Sequence, residues 1–280
     1  MLEQPIPETL PAVEGYSKGT LKVTHDISHI IHNWEFDPGK SYRKIVGDDG
    51  REKMQVRVDN AAFQGVLQME LDGRPDGKQP YGYDFAFDYY RLALKRYQRA
   101  HGTARGFKLE PESCSELFDE SLRIYNRYIF LLQLQDYQRV IRDTERNMEL
   151  FRFVNKYAVR EKDRMNLERW WPYIIRINGT ARALLAMQEH HDLDEALKVA
   201  SQTLERIENL EPVDFEEFQT ELERSQKALE EMIRSIKANK PLTAIEKLQN
   251  QLVRAVEEER FEEAARLRDQ LKGIEQQEIE

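Results

Sequence analysis

From Ser113 to Ile274 apolar residues recur three and four positions apart almost without a break. A 3.6-residue period places such residues on one face, so this stretch can only be a succession of amphipathic helices. Ser113-x-x-Glu116, Asp192-x-x-Glu195, Asp214-x-x-Glu217 and Thr243-x-x-Glu246 each match a capping box, in which an N-cap oxygen and a returning carboxylate satisfy helix-end amides. Helix 136–158 carries Tyr137, Val140, Thr144, Met148, Phe151 and Val154 on one stripe, and helix 193–210 carries Ala196, Ala200, Leu204 and Ile207. Pro172, after Trp170 and Trp171, lacks an amide donor and must kink a long helix or begin a new one. A helical hairpin array is expected over 111–212. Helix 214–239 then spaces Phe215, Phe218, Leu222, Ser225, Leu229, Met232 and Ile236 as a coiled-coil seam, so 213–240 is expected to be a coiled-coil-like helix.

The first 110 residues read differently. Residues 1–20, with Pro5, Pro7, Pro11, Gly15 and Gly19, suit a flexible leader. Over 21–110 a small α+β domain is expected. Tyr42–Val46, Lys53–Val58 and Val66–Leu71 alternate as strands, separated by Gly47-Asp48-Asp49-Gly50 and by 60–65, and these are turn sequences. Tyr83, Phe87, Tyr90, Leu94 and Tyr97 then follow a helical spacing with Arg91, Lys95, Arg96 and Arg99 interleaved. Bases stacked on those rings, with phosphates on those cations, would make a single-strand nucleic-acid site; the preferred reading is a core-facing stripe with a basic rim.

Two metal sites are conceivable. His25, His29 and His32 share one face if 24–33 is helical, as nitrogen ligands to zinc would. Three ligands from one short helix cannot easily surround a tetrahedral ion, and Ile27, Ile30 and Ile31 already explain the turn, so surface or packing histidines are preferred. Asp48, Asp49, Asp59, Glu70 and Asp72 could gather around a hard cation, but nothing in the sequence makes them converge. With no phosphate-cradling loop, nucleophile elbow or metalloprotease signature, no catalytic residue is assigned and no cofactor is expected.

Charge is uneven: 19 basic against 13 acidic residues over 86–182, then 13 against 24 over 183–280. The basic middle can attract phosphate or an acidic partner, while the acidic end repels nucleic acid. One cysteine, Cys114, allows no internal disulfide, and no stretch approaches the roughly 20 apolar residues of a membrane span. A cytoplasmic protein without membrane contact is expected.

Within 241–280, Ile245, Leu248, Leu252 and Val256 form one stripe and Ala264, Leu267, Leu271 and Ile274 another, with Glu258-Glu259-Arg260 between them. Two short antiparallel helices follow. Residues 255–272, above all Phe261-Glu262-Glu263-Ala264-Ala265-Arg266-Leu267-Arg268-Asp269, resemble the UVR motif of the UvrB and UvrC excision-repair proteins, which also occurs in certain Clp ATPases and activators of protein arginine kinases. That resemblance implies a protein-contact element pairing with another copy or a related hairpin. Phe261, Ala264, Ala265, Arg268 and Asp269 would be its contact residues, with the alanines allowing close approach and the Arg-Asp pair fixing geometry. Independently, a hairpin this short lies below the roughly 40 residues that usually support a core, so Leu248, Leu252, Val256, Leu267, Leu271 and Ile274 are expected to pack on a partner, on a second copy, or beneath helix 214–239. Residues 131–140 and 183–197 resemble tetratricopeptide helix-turn-helix units more weakly, since their landmarks are 56 residues apart rather than 34.

The expectation is a mainly α protein with a small N-terminal α+β part, a helical array, a coiled-coil-like helix and a C-terminal UVR helical hairpin. Its expected function is a non-enzymatic adaptor that binds a protein partner or pairs as a homo-oligomer, in DNA excision repair or protein quality control. The alternative is a nucleic-acid-binding or processing protein using the basic 86–182 region.

Overall fold

The computed structural model describes residues 26–60, 62–189, 191–240 and 244–277. It divides into two compact units meeting at Met69 and Glu70.

The first unit holds the short helix α1 (Ser28–His32) and an antiparallel sheet of β1 (Tyr42–Val46), β2 (Glu52–Asn60) and β3 (Phe63–Glu70) in that order. Register is set by the turn between β1 and β2, where Gly50 adopts φ 74°, and it pairs Tyr42 with Val56 and Val46 with Glu52. Gly tolerates that left-handed conformation without a Cβ clash. Central β2 is tied to both neighbours through Gln55, whose Oε1 accepts from Arg43 Nη2 at 2.8 Å and whose Nε2 donates to Gln68 Oε1 at 2.9 Å.

The second unit is helical: α2 (Ala86–His101), α3 (Pro111–Gln133), α4 (Tyr137–Tyr157), α5 (Glu161–Met165), α6 (Trp171–Glu189), α7 (Leu193–Glu208), α8 (Glu216–Asn239), α9 (Ala244–Glu257) and α10 (Phe261–Gln277). The long helices pack in sequence order, α3 on α4, α4 on α6 past the short α5, α6 on α7 and α7 on α8. Pro172 begins α6 rather than kinking a longer helix. At α6 and α7 the contact is close because both helices present alanines (Ala183, Ala186, Ala196, Ala200), and a Cβ on Gly179 would overlap the Thr203 side chain.

Three expectations are corrected here. The small α+β domain is expected to run to residue 110, but α2 shares its core with the later helices: Phe87 meets Phe153 edge-on at 5.3 Å, in one cluster with Leu117, Leu150 and Ile174. The helical unit therefore starts at Glu70. The coiled-coil-like helix is a bundle member instead, since Leu229 joins that central cluster and Ile236 the alanine cluster of α6 and α7. Its polar seam residue, Ser225, accepts from Arg176 Nε at 3.0 Å and donates to Pro172 O at 3.2 Å. An amphipathic helix buries its stripe against whatever lies alongside it, and the three-four spacing is the same for a bundle and a coiled coil.

Capping is the third. Asp192 caps α7 as expected, accepting from Glu195 N at 2.8 Å. Ser113 does not cap α3, because Pro111 at the first helical turn starts that helix two residues earlier. Glu116 instead accepts from the Tyr81 and Tyr90 hydroxyls at 2.9 and 2.8 Å. Asp214 lies one residue ahead of the α8 N-cap, Phe215. Thr243 lies outside the described residues. Asp136 caps α4, accepting from Arg139 N at 3.2 Å.

Two buried charged groups tie the helical unit together across long sequence separations. Arg127 Nε and Nη2 grip the two Asp143 oxygens at 2.7 and 2.9 Å, while Nη1 donates to Gly73 O at 2.7 Å and Glu70 O at 3.1 Å. Buried Glu120 accepts from the Ala86 and Phe87 amides at 2.7 and 3.0 Å, capping α2 from a distance because Phe85 at its N-cap has no acceptor side chain.

Candidate protein-interaction hairpin

Helices α9 and α10 are joined by Glu258, Glu259 and Arg260. Arg260 N donates to Ala255 O at 2.7 Å and Glu259 N to Val256 O at 3.1 Å, the two bonds of a Schellman turn. That geometry puts Glu259 in the left-handed region, φ 55°, where glycine is the usual occupant. The turn folds the stripes of the two helices onto each other. Ala255, Ala264 and Leu267 form a small buried cluster with Leu248 and Leu252 packed against it, and every member belongs to the hairpin. Leu271 is buried as well.

The expected contact residues therefore divide into two sets. Leu248, Leu252, Ala264, Leu267 and Leu271 serve the interior of the hairpin, whereas Val256, Phe261, Ala265, Arg268 and Asp269 are exposed. The side chains of Ile245 and Ile274 lie outside the described ones. Phe261 is 67% exposed and Val256 51%, and Val253, one turn before Val256, is 55% exposed. Arg268 and Asp269 pair with each other at 3.0 Å on the surface. Beside Phe261 an open groove of about 800 Å³ is lined by Gln251, Arg266, Leu267 and Gln270. Glu259, Glu262 and Glu263 also line it, and with Glu257 and Glu258 they make the turn acidic, although Arg260 is paired to Glu258 at 2.6 Å and also to Glu263.

The other candidate residues lie elsewhere. Of the aromatic stripe on and before α2, Phe87 and Tyr90 are buried in the core, whereas Tyr83 and Tyr97 are half-buried. Arg91 is paired with Glu149 at 3.3 Å, and Lys95, Arg96 and Arg99 are exposed on α2. His29 and His32 are exposed on α1, whereas His25 lies outside the described residues. Among the described residues no group of three His, Cys, Asp or Glu is placed to hold a metal ion. Of the carboxylates considered above, Asp49 pairs with Lys53 at 2.9 Å and Asp72 with Arg139 and Arg142 at 3.2 and 2.5 Å. Cys114 is buried, and that burial pushes its thiol up to about 11, which keeps it protonated and inert near neutral pH. No described helix is long and apolar enough to cross a membrane.

Sequence reasoning missed the exposure of Val253, which stands off both apolar stripes. It also missed that most of the stripe residues would satisfy each other.

Residues 243–277 match the family model of the UvrB/uvrC motif, UVR. The match coincides with α9 and α10 and covers well under half of the chain. No match was found among curated proteins or among solved structures.

Proposed function

We propose that this chain is a non-enzymatic adaptor whose UVR hairpin recruits a protein partner through Phe261, Val256 and Val253. The observation that carries the reading is the exposure of Phe261 at 67% on a hairpin whose interior is already filled by its own side chains. Burying a phenylalanine on a partner is worth about 1.5–3 kcal/mol, and two valines add to it. The acidic turn favours a partner carrying lysine or arginine around an apolar pocket. Tip-to-tip docking of two copies would oppose two turns in which Arg260 offsets only part of the charge of five carboxylates, so a different protein is favoured over a homo-oligomer of that kind. Excision repair and protein quality control are the two settings that the motif's resemblance implies.

The test compares wild type with Phe261→Asp in co-purification, alongside mass measurement of the full chain and of residues 1–240. Phe261 is the first residue of α10, where a carboxylate suits the helix dipole, so the variant should keep its hairpin. A partner retained by wild type and lost by the variant supports the proposal; an unchanged set overturns it. Nucleic-acid binding through 86–182 would appear as affinity for DNA or RNA that falls steeply with salt.

A further inference from the structure

Between α4, α6 and α7 lies an open groove of about 740 Å³ whose charged lining sets Arg152, Arg182 and Arg206 against Glu145, Glu149 and Glu195. Each of these carboxylates is already held by a cation. Glu145 pairs with Arg182, Glu149 with Arg91 at 3.3 Å and Glu195 with Lys198 at 3.0 Å. Arg152 and Arg206 are therefore left over, and among the described residues neither has a carboxylate partner.

Neither guanidinium meets a strong acceptor among the described residues. Arg152 lies over the Trp171 ring, Cζ 5.1 Å from its centroid, a contact that leaves its N–H donors uncommitted. Arg206 Nη2 reaches only Met148 Sδ at 3.7 Å, and a thioether is a weak acceptor. Arg182 is oriented by Asn178 Oδ1, which accepts from its Nε at 3.1 Å. All three arginines are exposed, so a ligand can reach them. Partial desolvation, and then the positive charge of Arg152 and Arg182, hold Arg206 below the ordinary guanidinium range. Like charges gathered in this way repel until an anion joins them.

We propose that this groove binds a small molecule through a dianionic phosphate group, held by Arg152 and Arg206 and flanked by Arg182. Two surplus positive charges match the roughly −1.5 to −2 that a phosphomonoester carries at neutral pH. Planar guanidinium forks suit its oxygens. A carboxylate or a phosphodiester carries one charge and answers only one of the two arginines. Inorganic phosphate and phosphomonoesters share the chemistry that the groove selects. This site is independent of the hairpin and would stand if recruitment through Phe261 failed.

Calorimetric titration of the full chain in low-salt buffer with phenyl phosphate, and with benzoate as a monoanion of similar body, tests it. Saturable phenyl phosphate binding below about 1 mM and roughly tenfold weaker binding of benzoate are expected. Arg152→Gln and Arg206→Gln should each weaken phenyl phosphate by about tenfold with an unchanged circular dichroism spectrum. Lys227→Gln, the same loss of charge on α8 outside the groove, should leave the affinity as it is. Inorganic phosphate that binds as tightly as phenyl phosphate supports the site with free phosphate as its ligand, and weaker inorganic phosphate supports it with an ester. No saturable binding of phenyl phosphate up to about 10 mM would overturn the proposal. Equal affinity for benzoate, an affinity unchanged in both arginine variants, or a loss in Lys227→Gln as large as theirs would do the same.

Discussion

Arg127→Met removes the central cation of the helical unit and leaves its carboxylate behind. Arg127 and Asp143 are 0% and 1% exposed, so the variant strands a charge that water cannot reach. Breaking a buried pair from one side typically costs about 3–5 kcal/mol. Arg142 Nε, 3.1 Å from Asp143 Oδ1, still contacts the carboxylate and softens that loss. The Glu70 and Gly73 carbonyls each lose a donor, adding about 1 kcal/mol apiece. A net loss of about 4 kcal/mol is expected, a large share of the roughly 5–15 kcal/mol that holds a typical domain folded. Adding Asp143→Leu removes the stranded charge, and the double variant should recover about 2 kcal/mol, because an apolar pair of similar volume tolerates burial. Equilibrium urea unfolding followed by helical circular dichroism measures all three proteins. A single variant that loses less than about 1 kcal/mol, or a double variant no more stable than the single, would refute this description of the core.

Further outcomes concern the turn, the helix contact and pH. Glu259→Gly should stabilise the hairpin by about 1 kcal/mol, since glycine relieves the left-handed strain at φ 55°; slower amide exchange in α9 and α10 would show it, and faster exchange would contradict it. Gly179→Ala should destabilise the α6–α7 contact by about 1–3 kcal/mol, because the new methyl meets the body of Thr203, and thermal unfolding reads this directly. Burial raises the Glu120 carboxyl above its ordinary range although the Phe87 and Ala86 amides pull it down, so its ionisation opposes folding. Its contribution is therefore fullest below the unfolded value of about 4.3 and declines as pH rises through the folded one. The stability gap between wild type and Glu120→Gln should shrink over that rise, and a widening gap would contradict it.

The sequence was most informative where structure is local. The sheet, the Pro172 start of α6, the Asp192 cap and the terminal hairpin follow from turn chemistry, proline geometry and side-chain period, all set within a few residues. The UVR hairpin was legible for the same reason, since its motif is one continuous string. Period alone could not say which neighbour a stripe meets, so α8 reads as a coiled-coil seam although α6 and α7 cover it.

What only the tertiary structure decided rests on contacts between distant positions. Glu120 caps a helix that begins 34 residues earlier, and Arg127 reaches back to Glu70 across 57. On α4, Asp143 and Asn147 sit at positions a surface helix gives to solvent, yet both are buried because α3 and α6 pack on that helix. The partition of the hairpin into a filled interior and an exposed Phe261 has the same origin. A sequence fixes which residues share a helix face; burial is a property of the whole packed assembly, and it decides whether that face becomes core, cavity or contact surface.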